Sequence, residues 1–371
     1  MASNSFGEIL TLTSFGESHG VAVGGVLDGF PPGIAIDHHF IQSELDRRRP
    51  GQSVIVSQRT EKDILHILSG VFEGQSTGTP IAFLVENNDQ RSHDYNNIAN
   101  VYRPSHADYT YHQKYQVVDY RGGGRASARE TLVRVAAGAF AKLLLKKFNI
   151  RIHAFTRSIG LIEIPFDFKH INSKTIEANA VRCPHKEKAQ DMIAMLELLA
   201  KEGDSIGGVV ECRINGVPVG LGEPVYDKIS ARLAAAMMGI NATKGFEIGT
   251  GFRGVGLPAS KQNDAFVPMG SSIKTVTNNS GGIQGGISNG EEIVFRVAFK
   301  APASIAKSQK TVDKQGREVE LSISGRHDPC VVPRAVPVVE AMAALVIADQ
   351  YLRNSIYQVF KNRKSQKNPK R

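Results

Sequence analysis

Cysteine is scarce in this 371-residue sequence, and the three present, Cys183, Cys212 and Cys330, lie far apart with no C-x-x-C pair. An odd, dispersed set argues against a disulfide framework and a zinc site, and fits a reducing cytoplasm. No basic-then-apolar signal pattern opens the chain. Long apolar runs are also missing: the longest, residues 335–348, is broken by Pro337 and Glu340 and is expected to be too short for a bilayer. Several motifs are absent as well. Without G-x-x-x-x-G-K-[ST] there is no nucleoside-triphosphate P-loop, and without an isolated strand–G-x-G-x-x-G–helix there is no Rossmann fingerprint. Neither a G-x-S-x-G elbow nor an H-E-x-x-H helix occurs.

What is present is a soluble composition, 41% apolar and 22% charged. The net charge of +9 owes much to residues 361–371, which hold six cations and no acid. This tail is predicted to be disordered. Nucleic-acid binding is the rival explanation of the charge, but no recognition motif or patterned aromatic set accompanies it.

The most informative stretch is Arg121-Gly122-Gly123-Gly124-Arg125-Ala126-Ser127-Ala128-Arg129-Glu130. Three glycines let backbone approach a ligand closely. Ser127 and Glu130 have capping-box spacing, and Leu132, Val135, Ala136, Ala139, Phe140 and Leu143 follow at helical spacing. Lys146, Lys147 and Asn149 read as the cationic last turn and stop, giving roughly five turns of helix. A helix start attracts anions, and Arg121, Arg125 and Arg129 would add charge that normally opposes the dipole there. Local rules are broken in this way at functional sites, so an anionic, phosphorylated ligand is predicted.

In chain order, strands are expected at 8–13 and 21–27, joined through Gly16-Glu17-Ser18-His19-Gly20, where a glycine-flanked His19 is placed to face a ligand. A helix from Asp37 must stop before Pro50, and one of Arg47, Arg48 and Arg49 in its last turn is expected to enter the site. In Arg103-Pro104-Ser105-His106-Ala107-Asp108, His106 between a cation and an acid is a candidate proton carrier. Helices at 185–201 and 223–238 should flank a strand at 209–214, and a helix over 334–353 closes the fold. Two segments also match without a gap: Gly70, Gly74, Ser76 and Gly78 fall on Gly282, Gly286, Ser288 and Gly290, and strand residues Ile81, Phe83 and Val85 on Ile293, Phe295 and Val297. The echo predicts two similar lobes, because its period is too long for a solenoid.

Arginines and histidines spread over glycine-rich loops suit a substrate bearing phosphate and carboxylate, since arginine forks hold both bidentately. Together, GESHG from Gly16, DRRRPG from Asp46, RPSHAD from Arg103, the arginine–glycine stretch, and GRHDPC from Gly325 resemble the chorismate synthase family. The signatures come in the family's order and cover nearly the whole chain before the basic tail. The resemblance implies an α+β fold, a chorismate-synthase-like β-α-β sandwich with an internal pseudo-twofold duplication, as one two-lobed catalytic domain over 1–360 in a cytoplasmic homotetramer. It implies a lyase that eliminates phosphate from 5-enolpyruvylshikimate 3-phosphate, using reduced FMN with no net redox change.

By that likeness, the substrate clamp is Arg48, Arg103, Arg125 and Arg326. His19 protonates the departing phosphate, His106 acts on the flavin near N1, and Asp328 assists flavin N5 in taking the C6 proton. Flavin contacts fall on Arg125, Ala126, Ser127, Asn241, Ala242, Gly285, Lys300, Ala301, Pro302, Ala303, Ser304 and Arg326, and an NADP-type contact on Arg48 and Val54. Val54 replaces a basic residue of many members, so either Arg59 or another cation substitutes or one contact is lost. No flavin-reductase domain is appended, so reduced FMN is expected from an external reductase. A flavoprotein oxidoreductase using the same pocket is the rival enzyme reading.

Overall fold

The computed structural model describes residues 3–49, 62–88, 99–270, 272–323 and 328–367, with side chains as far as residue 357. Arg59, Arg326 and Val54 therefore lie outside the described residues. The first half runs β1 (Ser5–Phe6), β2 (Thr11–Gly16), β3 (Ala22–Asp28), α1 (His38–Arg48), β4 (His66–Ile67), β5 (Val71–Phe72), β6 (Gln75–Ser76), β7 (Ile81–Glu86), α2 (Asp108–Tyr115) and α3 (Thr131–Lys146). The second runs β8 (Arg151–Ile159), β9 (Ile162–Glu163), α4 (Ser173–Ile176), α5 (Lys186–Glu202), β10 (Gly208–Asn215), α6 (Ile229–Met238) and β11 (Thr243–Ile248). It continues through α7 (Gly251–Gly254), α8 (Ala259–Gln262), β12 (Phe266–Met269), β13 (Ser272–Thr275), β14 (Ile283–Gln284), β15 (Ile287–Ser288), β16 (Ile293–Phe299), β17 (Gln309–Val312) and β18 (Glu318–Leu321) to α9 (Val332–Lys367).

Two five-stranded antiparallel sheets, β1-β2-β3-β7-β4 and β11-β16-β10-β8-β9, enclose the long helices. Alternation decides the faces: Leu12, Leu27 and Ile81 share one register row of the first sheet, and Val210 and Val297 share one of the second, all buried. Helix α3 lies on β3, α9 on β8 and β10, and the two helices pack on each other. Their approach is close because Gly138 has no Cβ, which would stand 2.4 Å from Ala341 Cα. A single hydrophobic cluster spans both halves.

The duplication extends to single hydrogen bonds. Ser76 Oγ donates to Pro31 O (2.7 Å) and accepts from Ile34 N (3.0 Å); Ser288 Oγ donates to Pro218 O (2.6 Å) and accepts from Leu221 N (2.9 Å). Hairpins β5–β6 and β14–β15 turn on Gly74 and Gly286, at φ 74° and 92°, a region that favours glycine.

Some sequence expectations need correcting. Helix α6 starts at Ile229 rather than 223. Helix α9 is longer than 334–353 and takes in residues 361–367 of the tail expected to be disordered. Over Val332–Tyr357 it is long and apolar enough to cross a membrane, contrary to the estimate from residues 335–348, but 89% of that apolar window is buried in the fold. Pro337 does not break it. The Pro333 carbonyl left without an N–H partner by Pro337 accepts instead from Arg182 Nη1 at 2.6 Å.

Candidate active site

The glycine stretch forms a strap, residues 121–126, with Gly122, Gly123 and Gly124 at φ 59°, 82° and 52°. A Cβ on Gly122 would lie 2.3 Å from His19 Cε1, and one on Gly123 would lie 3.5 Å from His106 Cε1. The absent side chains thus let both histidines close on one strand of backbone. Buried His19 comes from the β2–β3 loop, with Ser18 Oγ 3.1 Å from its Nδ1.

The Arg103–Asp108 turn supplies the other side. Arg103 grips Asp108 bidentately, Nε to Oδ2 at 2.7 Å and Nη2 to Oδ1 at 2.6 Å. His106 Nδ1 donates to Asp108 Oδ1 at 2.7 Å. Arg103 Nη2 lies 3.0 Å from the same nitrogen, but the carboxylate is the acceptor able to take the ring proton. That assignment leaves Nε2 of His106 as the ring's basic nitrogen. Burial works against ionised Asp108, but the bonds from Arg103 and His106 hold its carboxyl well below the usual carboxylate range.

The second half closes the site. Lys300 Nζ donates to Ser105 O at 2.7 Å, next to His106. Burial, then the charge of Lys244, lowers the Lys300 pKa. Lys300 N donates to Ala242 O, and Asn241 Nδ2 donates to Ala126 O at 3.0 Å. Pro302, in the segment Ala301–Ser304, accepts from Ser205 Oγ. His19, Arg103, His106, Arg125, Ala126, Asn241, Ala242 and Lys300 are therefore brought together.

Others are not. Gly285 sits at the tip of β14–β15, with no atom of the described residues within 4 Å of a Cβ there and no described contact to the strap. Arg48 is buried, bonded to Asp63 Oδ2 (3.0 Å), Thr131 Oγ1 and Ala128 O. Asp328 accepts from Arg334, whose Nε reaches Arg48 O.

Two features of the expected anion trap change. Arg121 is held by Asp119 at 2.8 Å, and Arg129 is buried against Asp63 at 3.1 Å, so carboxylates offset both charges. Arg125 differs: it donates to neutral oxygens, Gly16 O, Ser14 Oγ and Asn4 Oδ1. Ser127 also forms no capping box. Its Oγ accepts from Arg129 N at 3.4 Å on a 3-10 turn, while Glu130 turns to Arg134 at 2.9 Å.

A cleft of about 1030 Å³ opens beside the strap, lined by Ser14, Glu17, Gly123, Arg125, Asn241 and Arg134 among others. Within it Asn241 Oδ1 and Glu130 Oε1 are buried without hydrogen-bond partners among the described residues. The sequence reading missed Glu130 and Arg134 as lining residues, having treated that segment only as a helix start; it also missed Asp63 and Asn87, which carry no motif. Among the described residues no cluster of His, Cys, Asp and Glu is arranged for a metal ion.

Comparison with known proteins identifies relatives over nearly the whole chain. The profile of the chorismate synthase family matches residues 10–352. A chorismate synthase of Cytophaga hutchinsonii is 59% identical over 353 residues, covering 95% of this chain and 98% of the relative. Those of Bacteroides fragilis and Prochlorococcus marinus are each 56% identical, covering 96% and 95% of this chain and 99% and 97% of their own lengths. A crystal structure of chorismate synthase superposes with a TM-score of 0.75 at 33% identity, covering 94% of this chain and 93% of that one.

Proposed function

The chain belongs to the chorismate synthase family, and from that premise we propose that its reaction takes place between the His19 loop, the glycine strap and the Arg103–Asp108 turn. The enzyme is a carbon–oxygen lyase that eliminates phosphate from 5-enolpyruvylshikimate 3-phosphate to give chorismate, in the shikimate pathway to aromatic amino acids. The observation that carries the siting is the pair of glycines that bring His19 and His106 against one stretch of backbone.

The family uses reduced flavin, and the residues here fit it. The cleft is of ligand size, about 1030 Å³. Asn241 Oδ1 is a buried acceptor with no partner among the described residues, suited to a ring N–H. Arg125, Ala126, Ser127, Asn241, Ala242 and Lys300 with the segment to Ser304 would hold the cofactor, with Gly285 and Arg326 added by family likeness. Reduced FMN, when bound, supplies electron density transiently to a reaction with no net redox change.

The chain's own groups do the rest. Arg125, with only neutral partners among the described residues, keeps its charge for an anionic group of the substrate. Arg103 and, by family likeness alone, Arg48 and Arg326 complete the proposed clamp. His19 gives a proton to the departing phosphate. His106 is kept in one tautomer by ionised Asp108 and manages a proton at Nε2. Asp328 assists removal of the C6 proton, and Arg48 with Val54 makes the NADP-type contact.

We read the assembly as a cytoplasmic homotetramer, supplied with reduced FMN by a separate reductase; family likeness and three free buried cysteines support this. The test is anaerobic phosphate release with and without reduced FMN. His19→Asn and His106→Asn should each slow turnover about 10²–10⁴-fold with folding retained. Wild-type rates in both would overturn the site, and net consumption of reductant per product would favour an oxidoreductase.

A further inference from the structure

Asn87 follows the last residue of β7, and its polarity there is unexpected. In the second repeat the matching position, at the end of β16, is Phe299, and both residues are buried. The strand end does not itself need an amide. A buried amide is tolerated only where its donors and acceptor are used, so its partners indicate what it does.

The described partners lie on two sides. Asn87 Nδ2 donates to Glu17 O at 2.9 Å and Gly20 O at 2.7 Å, and Asn87 N donates to Val21 O at 3.0 Å. Residues 17–21 are the whole β2–β3 connection, and His19 is at its centre. On the other side Asn87 Oδ1 accepts from Arg129 Nε. Arg129 continues to Asp63 Oδ1 at 3.1 Å and Glu86 O at 3.3 Å, and Asp63 Oδ2 takes Arg48 Nη1 at 3.0 Å. The amide cannot be flipped, because guanidinium only donates and carbonyls only accept.

We propose that Asn87 is a positioning residue for His19. Through one side chain it fixes the loop carrying the proton donor to the segment that follows the glycine strap. The strap in turn packs on the His19 ring at Gly122, so ring and loop are clamped from two sides by elements that Asn87 and Arg129 hold in register. The inference rests on the proton-donor role of His19 given above. It adds that the role depends on an amide that acts through the loop it holds.

Asn87→Asp tests this sharply. It keeps an acceptor for Arg129 but sets an oxygen against the Glu17 and Gly20 carbonyls. Turnover should fall about 10²-fold, the scale of a misplacement near 1 Å, with KM changed less than about threefold on the same geometric ground. The limb of the kcat–pH profile that disappears in His19→Asn should move. Asn87→Ser, which can still donate to one carbonyl, should lie between wild type and Asn87→Asp. In the unsubstituted enzyme the Gly20 and Asn87 amides should exchange with solvent in step with the Glu130 amide. A rate per folded molecule within twofold of wild type with an unmoved pH limb overturns the proposal, as does exchange of Gly20 and Asn87 independent of Glu130. Full activity in His19→Asn would instead overturn the role of His19, so the two failures are distinguishable.

Discussion

The two repeats agree wherever they are scaffold and part company in their connections. Ser76 and Ser288 make the same pair of hydrogen bonds, and the hairpins β5–β6 and β14–β15 occupy matching positions. Between β2 and β3, however, the first repeat has only residues 17–21, whereas between the matching β8 and β10 the second has residues 160–207 with β9, α4 and α5. The short connection presents His19. Phe166, from the long one, covers the second sheet, packing on Arg157 and Arg296. On that sheet Arg296 pairs with Glu247 and Glu211. The matching face of the first sheet presents Phe15, Val26, Ala82 and Leu84, with His66 opposite Leu84 and the carboxylates Asp28 and Glu86 at its ends. On the proposed siting, the chemistry lies beside the short loop, while the extended copy serves as support.

The largest stability effect should come from the joint between the repeats. Glu340, on α9, is buried and binds Arg47 Nη1 at 2.6 Å, Lys142 Nζ at 2.6 Å and Ala154 N at 2.8 Å. Arg47 and Lys142 belong to α1 and α3 of the first repeat. Burial alone would raise the Glu340 pKa, but the two cations outweigh it and hold the carboxyl well below its usual range. Glu340→Gln removes one carboxylate from Arg47 and Lys142, which both keep Glu44, and should cost about 3 kcal/mol, the low end for a broken buried pair, by denaturant unfolding. The sign with pH follows from the lowered value: the contribution is full above about pH 4 and is lost as pH falls further. Acid unfolding of Glu340→Gln should therefore be flatter below pH ~4 than that of wild type, and equal slopes would remove Glu340 from the joint.

A middle-sized effect tests the likeness itself. Ser76→Ala and Ser288→Ala each leave a buried N–H and a carbonyl unpaired, a cost of about 1–3 kcal/mol. Matching geometry predicts matching losses, measured as paired shifts in denaturant midpoint. A difference beyond about 1 kcal/mol, against additivity errors of roughly 0.5, would mean that the repeats are alike in shape and unlike in strain.

These features were unequally legible in the sequence. The duplication could be read because glycine is favoured at positive φ, so equal turns leave equal glycine spacing. The strap and the two histidines could be read because their signals are local. Neutralisation of Arg129 could not, since Asp63 lies 66 residues away. Arg121 is different: its partner Asp119 is two residues away, and the pair was visible but unused. Asn87 gave no signal, because nothing in the neighbouring residues says that strand β7 ends beside the His19 loop.

The smallest predicted effect concerns the start of α3, where sequence and structure disagree most closely. A serine capping the helix at this spacing would lose about 1 kcal/mol on Ser127→Ala. The bond observed is longer, 3.4 Å, and serves a three-residue turn before the helix proper begins at Thr131. Thr131 supplies its own anchor, Oγ1 donating to Ala128 O at 2.6 Å. Ser127→Ala should therefore cost no more than about 0.5 kcal/mol, the low end for a lost cap. A weaker FMN affinity beyond that loss, measured by titration of the folded variant, would assign the hydroxyl to the cofactor. Unchanged affinity would confine Ser127 to the turn.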